Sequence, residues 1–324
     1  MVSMRQWALF ALKFAVSAAL LYFATRRIQI DTIGERLNQL APGWLILAIA
    51  IGLLQTAIGA VRWQRIANLC GAAMPQPQAI RFGMIAAFFN QVLPSTVGGD
   101  AARIVLAARA GNGWRKATYS VLLDRFIGVL ALATIVTAGL YWSFGLISDP
   151  IGRLVLLAVG LGSLAAAGAF LALGNLPLLQ RWRVTRRLAE LTVLARRILL
   201  SRTSAPAVLF LSLLIHLMTA AMAWAAAHAV AAQLSYLDAL LLVLPVMLIV
   251  TVPISIAGWG VRETALVLAF LYAGLPESDG LLVSVLIGGT MFAVGIIGGL
   301  VWLGSPDSLR LSAAWEKPVA PPQA

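Results

Sequence analysis

Long apolar blocks alternate with short polar connections along most of the chain. Each block holds about 18 to 25 residues, the length that a helix needs to cross a hydrocarbon core of about 30 Å at about 1.5 Å per residue. The pattern predicts an all-α polytopic membrane protein with six full transmembrane helices. These cover residues 7–24, 44–61, 117–142, 154–173, 206–232 and 281–303.

Two further apolar stretches, 80–108 and 239–274, are interrupted by turn residues and charge. The first contains LPSTVGGDAAR and the second contains VPISIAGWGVRE. Proline removes a backbone donor and clustered glycines permit non-helical conformations, so each break frees backbone groups that lipid cannot satisfy. Each break must therefore face protein or a wet cavity. We expect two re-entrant helical hairpins that enter the membrane from opposite faces; the alternative is a pair of ordinary kinked helices.

Composition and charge agree with a membrane protein. Hydrophobic residues make up 61% of the 324 positions and charged residues 11%, against roughly 45–50% and about 25% in soluble domains. The net charge of +12 would suit nucleic acid, but the position of the charges favours a positive-inside topology and no nucleic-acid partner. The single Cys70 excludes an internal disulfide, and no residue pattern predicts a metal site or a cofactor.

A basic linker at 175–205 marks the predicted cytoplasmic side. Its leucines and basic residues recur at helical spacing, which indicates an amphipathic helix on the inner leaflet. Most other Lys and Arg, Arg62 among them, fall on the same predicted side. Both termini are therefore expected in the cytoplasm and the chain in the cell inner membrane. The linker arginines are Arg181, Arg183, Arg186, Arg187, Arg196, Arg197 and Arg202.

The two interrupted stretches resemble each other. Pro94 and Arg103 have the same separation as Pro253 and Arg262, with a serine and two glycines between them in each case. Neighbouring spans repeat at about the same offset, which predicts an inverted repeat of halves 1–145 and 150–304 within one membrane domain, 1–304. Residues 305–324 are predicted to be a disordered cytoplasmic tail.

The histidines in the spans are expected to be packed and hydrogen bonded, and the alternative is a role in relaying protons. His216 and His228 lie on opposite sides of one predicted helix, so they do not form a shared metal site. Tryptophans near the span ends are typical of interfacial anchors. These are Trp44, Trp63, Trp114, Trp142, Trp182 and Trp302.

Charged residues follow each break. A helix that starts near the bilayer middle presents unpaired N–H groups and a partial positive charge, and an adjacent arginine adds donors suited to a phosphate. We expect Arg103 and Arg262 to hold an anionic head group. Asp100, as an N-cap, and Glu263, in a first turn, would pair with these arginines when the site is empty. The alternative is an internal Arg–carboxylate pair that locks two helices together.

A third charged pair, Asp124 and Arg125, lies inside the predicted span 117–142. Adjacent residues point about 100° apart on a helix, so these two are expected to reach the charged residues at the breaks rather than each other. Neutral side chains and glycines near the breaks complete the predicted binding residues, although the neutral side chains suit backbone satisfaction equally well. They are Asn90, Gln91, Ser95, Thr96, Ser255, Gly98, Gly99, Gly258 and Gly260.

These motifs carry a family resemblance. FNQVLPSTVGGDAAR, PISIAGWGVRE, the pair Arg62-Trp63 and the pair Asp124-Arg125 resemble the membrane domain of lysylphosphatidylglycerol synthase/flippase proteins over roughly residues 7–303. The resemblance implies flippase-like lipid translocation. The resemblance does not imply synthase activity, because the soluble transferase domain of full-length synthases has no counterpart in this sequence. The aspartate of the second pair departs from the expected glutamate and keeps its acidic function. The matching motif positions are Pro94, Gly98, Gly99, Asp100, Arg103, Gly258, Gly260, Arg262 and Glu263.

Three functions are open at this point. The first is a flippase that holds a phospholipid or another anionic or zwitterionic head group between opposed hairpin tips. The second is a membrane-embedded transferase with Asp100 or Glu263 as a base; against it, no nucleophile lies beside a base in the sequence. The third is a non-transporting scaffold subunit that organises partners, such as lipid-biosynthetic enzymes, through its basic linker. We expect the first, with membrane lipids as partners and no enzymatic activity.

Overall fold

The structure, a computed structural model, describes residues 40–93, 97–174, 183–252 and 258–306, with isolated positions nearer the N-terminus. Every regular element in these ranges is a helix, and no strand occurs there. The helices are labelled in chain order as α1 Pro42–Leu69, α2 Gln76–Val92, α3 Gly98–Ala107, α4 Trp114–Ala138, α5 Leu140–Leu146, α6 Pro150–Leu173, α7 Arg183–Leu199, α8 Ala205–Ala229, α9 Tyr236–Val250, α10 Val261–Tyr272 and α11 Glu277–Leu303.

Five of these helices, α1, α4, α6, α8 and α11, are long and apolar enough to span a membrane. They correspond to five of the six predicted spans. The sixth, 7–24, lies largely outside the described residues. Some of the described residues near the N-terminus contact the second half: Thr264 Oγ1 donates to the Leu20 carbonyl oxygen at 3.0 Å, and Arg36 Nη1 lies 2.5 Å from Asp279 Oδ1.

Helix α1 continues past the predicted end at residue 61, so Arg62 and Trp63 lie inside it. Arg62 is only 8% exposed, and its position on the cytoplasmic side stays a prediction. The prediction that Trp63 is an interfacial anchor is wrong, because its side chain is fully buried. Arg62 pairs with Asp124 of another helix, and this counter-charge replaces the water that a solitary arginine would need.

Helices α2 and α3 form the first helix–break–helix unit. α2 ends before Leu93, which is extended, and α3 begins at Gly98; residues 94–96 between them lie outside the described ranges. α3 packs back against α2, and Gly99 permits the close approach because a Cβ there would lie 2.3 Å from the Ala86 carbonyl oxygen. At 17 and 10 residues, or about 25 and 15 Å, neither arm reaches the length of a full span.

Helices α9 and α10 form the second unit and also pack on each other. α9 ends at Val250 and α10 begins at Val261, while residues 253–257 lie outside the described ranges. Gly258 and Gly260 have φ angles of +83° and +85°, which residues with a side chain rarely adopt. These two glycines let the chain turn sharply into α10. That either unit enters a membrane and returns to the same face stays a prediction.

The same helix pairings occur in both halves of the chain. α1 packs on α2 and on α4, and correspondingly α8 packs on α9 and on α11; α3 packs on α4 as α10 packs on α11. Each hairpin also contacts the last long helix of the other half, α2 on α11 and α9 on α4. These pairings fit a repeat of residues 1–145 and 150–304, and the opposite orientation of the two halves stays a prediction.

Helix α7 belongs to the basic linker predicted at 175–205. It buries Leu191, Ala195 and Ile198 in one cluster with apolar residues of α1, α4 and α8, while Arg186 and Arg187 are exposed. The prediction of an amphipathic helix is confirmed, since one face is apolar and packed and the other is basic. Its position on the inner leaflet stays a prediction. Most of the predicted tail lies outside the described residues.

Candidate functional site

Asp124 is the centre of a buried charged cluster, here called the first cluster. Its Oδ1 accepts from Arg62 Nε at 2.9 Å and its Oδ2 accepts from Arg103 Nη1 at 2.9 Å. Arg62 also donates to Ser212 Oγ at 3.2 Å and to the Asp124 carbonyl oxygen at 3.3 Å. Through these bonds the Asp124 carboxylate, on α4, links α1 and α3, and Arg62 also links α1 to α8.

Asp100 is shared by two arginines of the same cluster. One of its oxygens pairs with Arg103, three residues further along α3, and the other accepts from Arg125 Nε at 2.6 Å. The Arg103 guanidinium lies over the indole of Trp63, 5.1 Å from the ring centroid, and Trp63 Nε1 donates to Ser120 Oγ at 3.1 Å. The hairpin arm α3 is thereby held against both α1 and α4.

The first cluster carries one more positive charge than negative charges. The guanidinium groups of Arg62, Arg103 and Arg125 face the carboxylates of Asp100 and Asp124. Four of these side chains are 5–11% exposed, whereas that of Arg125 is 49% exposed. A charge without a full partner is least costly where it reaches water or an anion, so the surplus resides at Arg125.

Arg125 lines a cavity of about 310 Å³ between the two halves, here called the central cavity. Gln55 and Thr56 of α1 and Asn90 and Gln91 of α2 supply further polar groups to its wall. The remaining lining residues are small or apolar: Gly52, Ala87, Met222, Met291 and Val294. A concave site with a few polar groups around one cation suits a polar anionic ligand.

Glu263 is the centre of a second, smaller cluster. Its Oε1 accepts from Arg262 Nη2 at 2.7 Å and from Ser284 Oγ at 2.9 Å, and its Oε2 accepts the backbone N–H of Gly260 at 2.6 Å. Arg262 Nε also donates to Ser284 Oγ at 3.1 Å. The Arg262 guanidinium lies over Trp259, 5.0 Å from the ring centroid. This second cluster therefore has one charge of each sign.

The second cluster is closed to its surroundings. Glu263 is fully buried and Arg262 is 5% exposed. Gly288 of α11 makes room for the pair, since a Cβ there would lie 2.4 Å from Arg262 Nη2 and 2.9 Å from the Trp259 ring. This geometry fits an ion pair that locks α10 onto α11, the structural alternative to an anion site.

The adjacent residues Asp124 and Arg125 reach the first hairpin, where their partners are Arg103 and Asp100. Among the described contacts, none joins them to the second cluster. The prediction that Asp100 caps its helix is wrong: Val97 is the N-cap, and Asp100 lies in the first turn. The reason is electrostatic, because two arginines engage its carboxylate in place of the backbone N–H groups.

The predicted neutral residues have different outcomes. Asn90 Oδ1 accepts the N–H of Gly99 at 2.8 Å, so Asn90 satisfies backbone at the break and also lines the central cavity beside Gln91. Gly98 brings α3 against α2, since a Cβ there would lie 2.7 Å from the Phe89 carbonyl oxygen. Three predicted residues lie outside the described ranges: Ser95, Thr96 and Ser255.

Sequence analysis missed the partners that the clusters recruit from other helices. A carboxylate inside a span, such as Asp124, needs a cation at the same depth, and Arg62 at the end of an apolar block was the available signal. Ser212 and Ser284 gave no signal, because serine in an apolar helix commonly bonds its own backbone. The stacked Trp259 lies three residues before Arg262, where a single sequence does not distinguish it from a packed aromatic residue.

The two histidines are packed and hydrogen bonded, as predicted. His216 Nε2 lies 3.0 Å from the Gly128 carbonyl oxygen. His228 Nδ1 lies 3.0 Å from the Trp224 carbonyl oxygen, and its ring packs on Trp44. Both side chains thus act in helix packing.

One protein family matches almost the whole chain. Its description is lysylphosphatidylglycerol synthase TM region, and it matches residues 10–299. The matched range contains both clusters, the central cavity and α7. No curated protein matches the chain.

Proposed function

Because the chain belongs to this family of integral membrane domains associated with lysylphosphatidylglycerol synthase/flippase proteins, we propose that it translocates a phospholipid or another polar anionic lipid. The lipid head group binds in the central cavity at Arg125 while the acyl chains stay in the bilayer. The protein resides in the inner membrane with both termini in the cytoplasm, and it moves lipid without enzymatic activity.

The observation that carries this proposal is the surplus positive charge at the half-exposed Arg125. Its Nε bonds to Asp100 at 2.6 Å, but Asp100 is also engaged by Arg103. A phosphate oxygen that enters the cavity can take the place of Asp100 at Arg125, and Asp100 then keeps its bond to Arg103. Anion binding therefore leaves no buried carboxylate without a partner.

Arg103 and Arg262 have a different role in this proposal. Both guanidinium groups are buried, paired with carboxylates and stacked on tryptophan. Direct contact with a head group would require breaking those pairs, which is costly in a buried site. The two arginines therefore hold the hairpins in place, and Arg125 makes the direct contact.

The position of the central cavity supports a transport cycle. Its walls come from α1, α2 and α4 of the first half and from α8 and α11 of the second. A site between two halves changes its access when one half moves against the other, as in alternating-access transporters. Gly52, Met222 and Val294 meet where α1, α8 and α11 converge, since a Cβ on Gly52 would lie 3.1 Å from Val294 and 3.7 Å from Met222. Motion at this junction would alter the cavity directly.

The test is translocation of fluorescent phosphatidylglycerol in proteoliposomes, read by quenching of the label on the outer leaflet. We expect Arg125→Gln to slow translocation about tenfold or more, because a charge-assisted bond to phosphate is lost. Arg202→Gln is the matched control: it removes the same charge from an exposed position outside the cavity, and its rate should stay within about twofold of the unsubstituted protein.

Two outcomes would contradict the proposal. Equal rates for the unsubstituted protein and Arg125→Gln would remove the central cavity from the mechanism. No translocation of phosphatidylglycerol, phosphatidylethanolamine or an aminoacylated lipid by correctly folded protein would favour the transferase or scaffold functions instead.

A further inference from the structure

A second basic site lies away from the central cavity, where α7 meets the start of α4. A groove of about 670 Å³, here called the linker groove, lies between these helices and the ends of α1 and α6. Three cationic side chains line it, Arg115, Lys116 and Arg186, with one carboxylate, Glu190. None of these residues belongs to either buried cluster, and the translocation proposal does not use them.

In the linker groove, the Glu190 carboxylate is the anion that pairs with Arg115. Its Oε2 accepts from Arg115 Nη2 at 2.6 Å and from the Tyr119 hydroxyl at 2.8 Å. The side chains of Arg115 and Glu190 are 68% and 35% exposed. An exposed pair of this kind contributes little to stability, because solvent screens it, and it is readily exchanged for another anion. Arg115 and Tyr119 are therefore available to an external ligand with stronger acceptor oxygens.

The same groove has an apolar wall. Ala189, Val193 and Leu194 of α7 line it beside the cations, and Val193 is 55% exposed. Leu188 and Leu200 extend the exposed apolar surface of the linker. Cationic side chains beside an exposed apolar surface on an amphipathic helix match a ligand that has both a phosphate and a hydrocarbon chain. Free phosphate would contact only the cationic side chains.

We propose that the linker groove binds the phosphate of an anionic membrane lipid, as a site separate from the translocation cavity. The lipid phosphate replaces Glu190 at Arg115 and Tyr119, Lys116 and Arg186 add charge, and the first part of an acyl chain lies along Val193. This site holds an anionic lipid beside α4, the helix that also carries Arg125, and it does so whether or not the central cavity translocates lipid.

The experiment measures binding of fluorescent phosphatidylglycerol to the purified full chain in a neutral detergent. All variants carry Arg125→Gln, which removes the proposed cavity site, so the two proposals fail independently. Arg186→Gln should weaken binding about fivefold. Its neighbour Arg187 is exposed on α7 but does not line the groove, so Arg187→Gln is the matched control and should change binding less than about twofold. Glu190→Gln should tighten binding about threefold, because the competing carboxylate is gone.

Three outcomes overturn the proposal. Equal weakening by Arg186→Gln and Arg187→Gln would assign the binding to diffuse surface charge. Weaker binding after Glu190→Gln would show that the lipid phosphate does not replace Glu190 at Arg115. Displacement of the labelled lipid by an equal concentration of inorganic phosphate would assign the groove to free phosphate. The expected result is displacement by unlabelled phosphatidylglycerol, with no displacement by phosphatidylcholine or phosphate.

Discussion

The two charged clusters are built from the same parts and differ in their charge balance. Each places an arginine of the second hairpin arm over a tryptophan, at 5.1 Å for Arg103 and 5.0 Å for Arg262, and pairs it with a carboxylate of the same helix. The second cluster contains only this pair of charged residues among the described residues, one of each sign. The first adds Arg62, Asp124 and Arg125, so that a surplus cation faces the central cavity.

This difference distinguishes charged residues that stabilise the fold from a charged residue that is free to bind a ligand, although both clusters have the same arrangement of arginine, carboxylate and tryptophan. A balanced buried pair holds two helices together but offers nothing to a ligand, because both partners are already satisfied. An unbalanced cluster with one half-exposed member keeps the hairpin fixed and still presents a cation. The comparison therefore predicts that changes in the second cluster act on stability and that changes at Arg125 act on transport.

The largest expected effect is on stability in the second cluster. Glu263→Gln leaves the buried guanidinium of Arg262 without a counter-charge, and we expect the free energy of unfolding to fall by about 3–5 kcal/mol. Unfolding of the purified protein in detergent, followed by intrinsic fluorescence, measures this loss. The double variant Arg262→Leu with Glu263→Gln removes both charges and should recover more than half of the loss. A Glu263→Gln protein as stable as the unsubstituted one would show that the pair does not lock the helices.

A glycine of α11 provides the second test of the same lock. Gly288→Ala places a Cβ against Arg262 and Trp259, and overpacking of this kind costs about 1–3 kcal/mol. Its neighbour Gly289 has no heavy atom within 4 Å of a Cβ position, so Gly289→Ala should stabilise the helix by about 0.5–1 kcal/mol. Thermal unfolding of the two variants compares them directly. The same sign for both would mean that the second cluster tolerates extra volume.

Part of this arrangement could be predicted from the sequence. The proline and glycine breaks, the pairing of Asp100 with Arg103, and the pairing of Glu263 with Arg262 all depend on residues close together in the chain. A spacing of three places Asp100 and Arg103 on one helix face, and Arg262 and Glu263 directly follow the same break. The amphipathic pattern of α7 is likewise local, and it was predicted for the same reason.

The remaining part depends on contacts between distant helices. Arg62 pairs with Asp124 across 62 positions and with Ser212 across 150, and no local spacing encodes those distances. Charge counting assigned Arg62 only to the cytoplasmic side, because the positive-inside rule counts arginines without identifying their partners. The surplus charge of the first cluster, and with it the role of Arg125, emerges only after all five members are assembled.

The third prediction concerns stability in the first cluster. Arg125→Gln should change the free energy of unfolding by less than about 1 kcal/mol, because the side chain is half exposed and its removal leaves two cations for two carboxylates. The same unfolding experiment measures it beside the second-cluster variants. A loss comparable with that of Glu263→Gln would show that Arg125 is a structural residue, and the contrast between the clusters would fail.

The smallest expected effect belongs to the exposed pair of Arg115 and Glu190, which serves as a solvated reference for both buried clusters. The hydrogen bond from the Tyr119 hydroxyl, together with the smaller effect of Arg115, lowers the pKa of Glu190 below its ordinary value of 4.5. A carboxylate with a lowered pKa in the folded state stabilises the fold above its ordinary pKa and loses that contribution as the pH falls through the lower value. The stability difference between the unsubstituted protein and Glu190→Gln should therefore stay constant from about pH 7 to 5 and shrink below about pH 4.5. Unfolding midpoints measured across this range provide the test. A difference that disappears already near pH 6 would mean that the pKa of Glu190 is not lowered, and that Tyr119 and Arg115 do not stabilise its charged form.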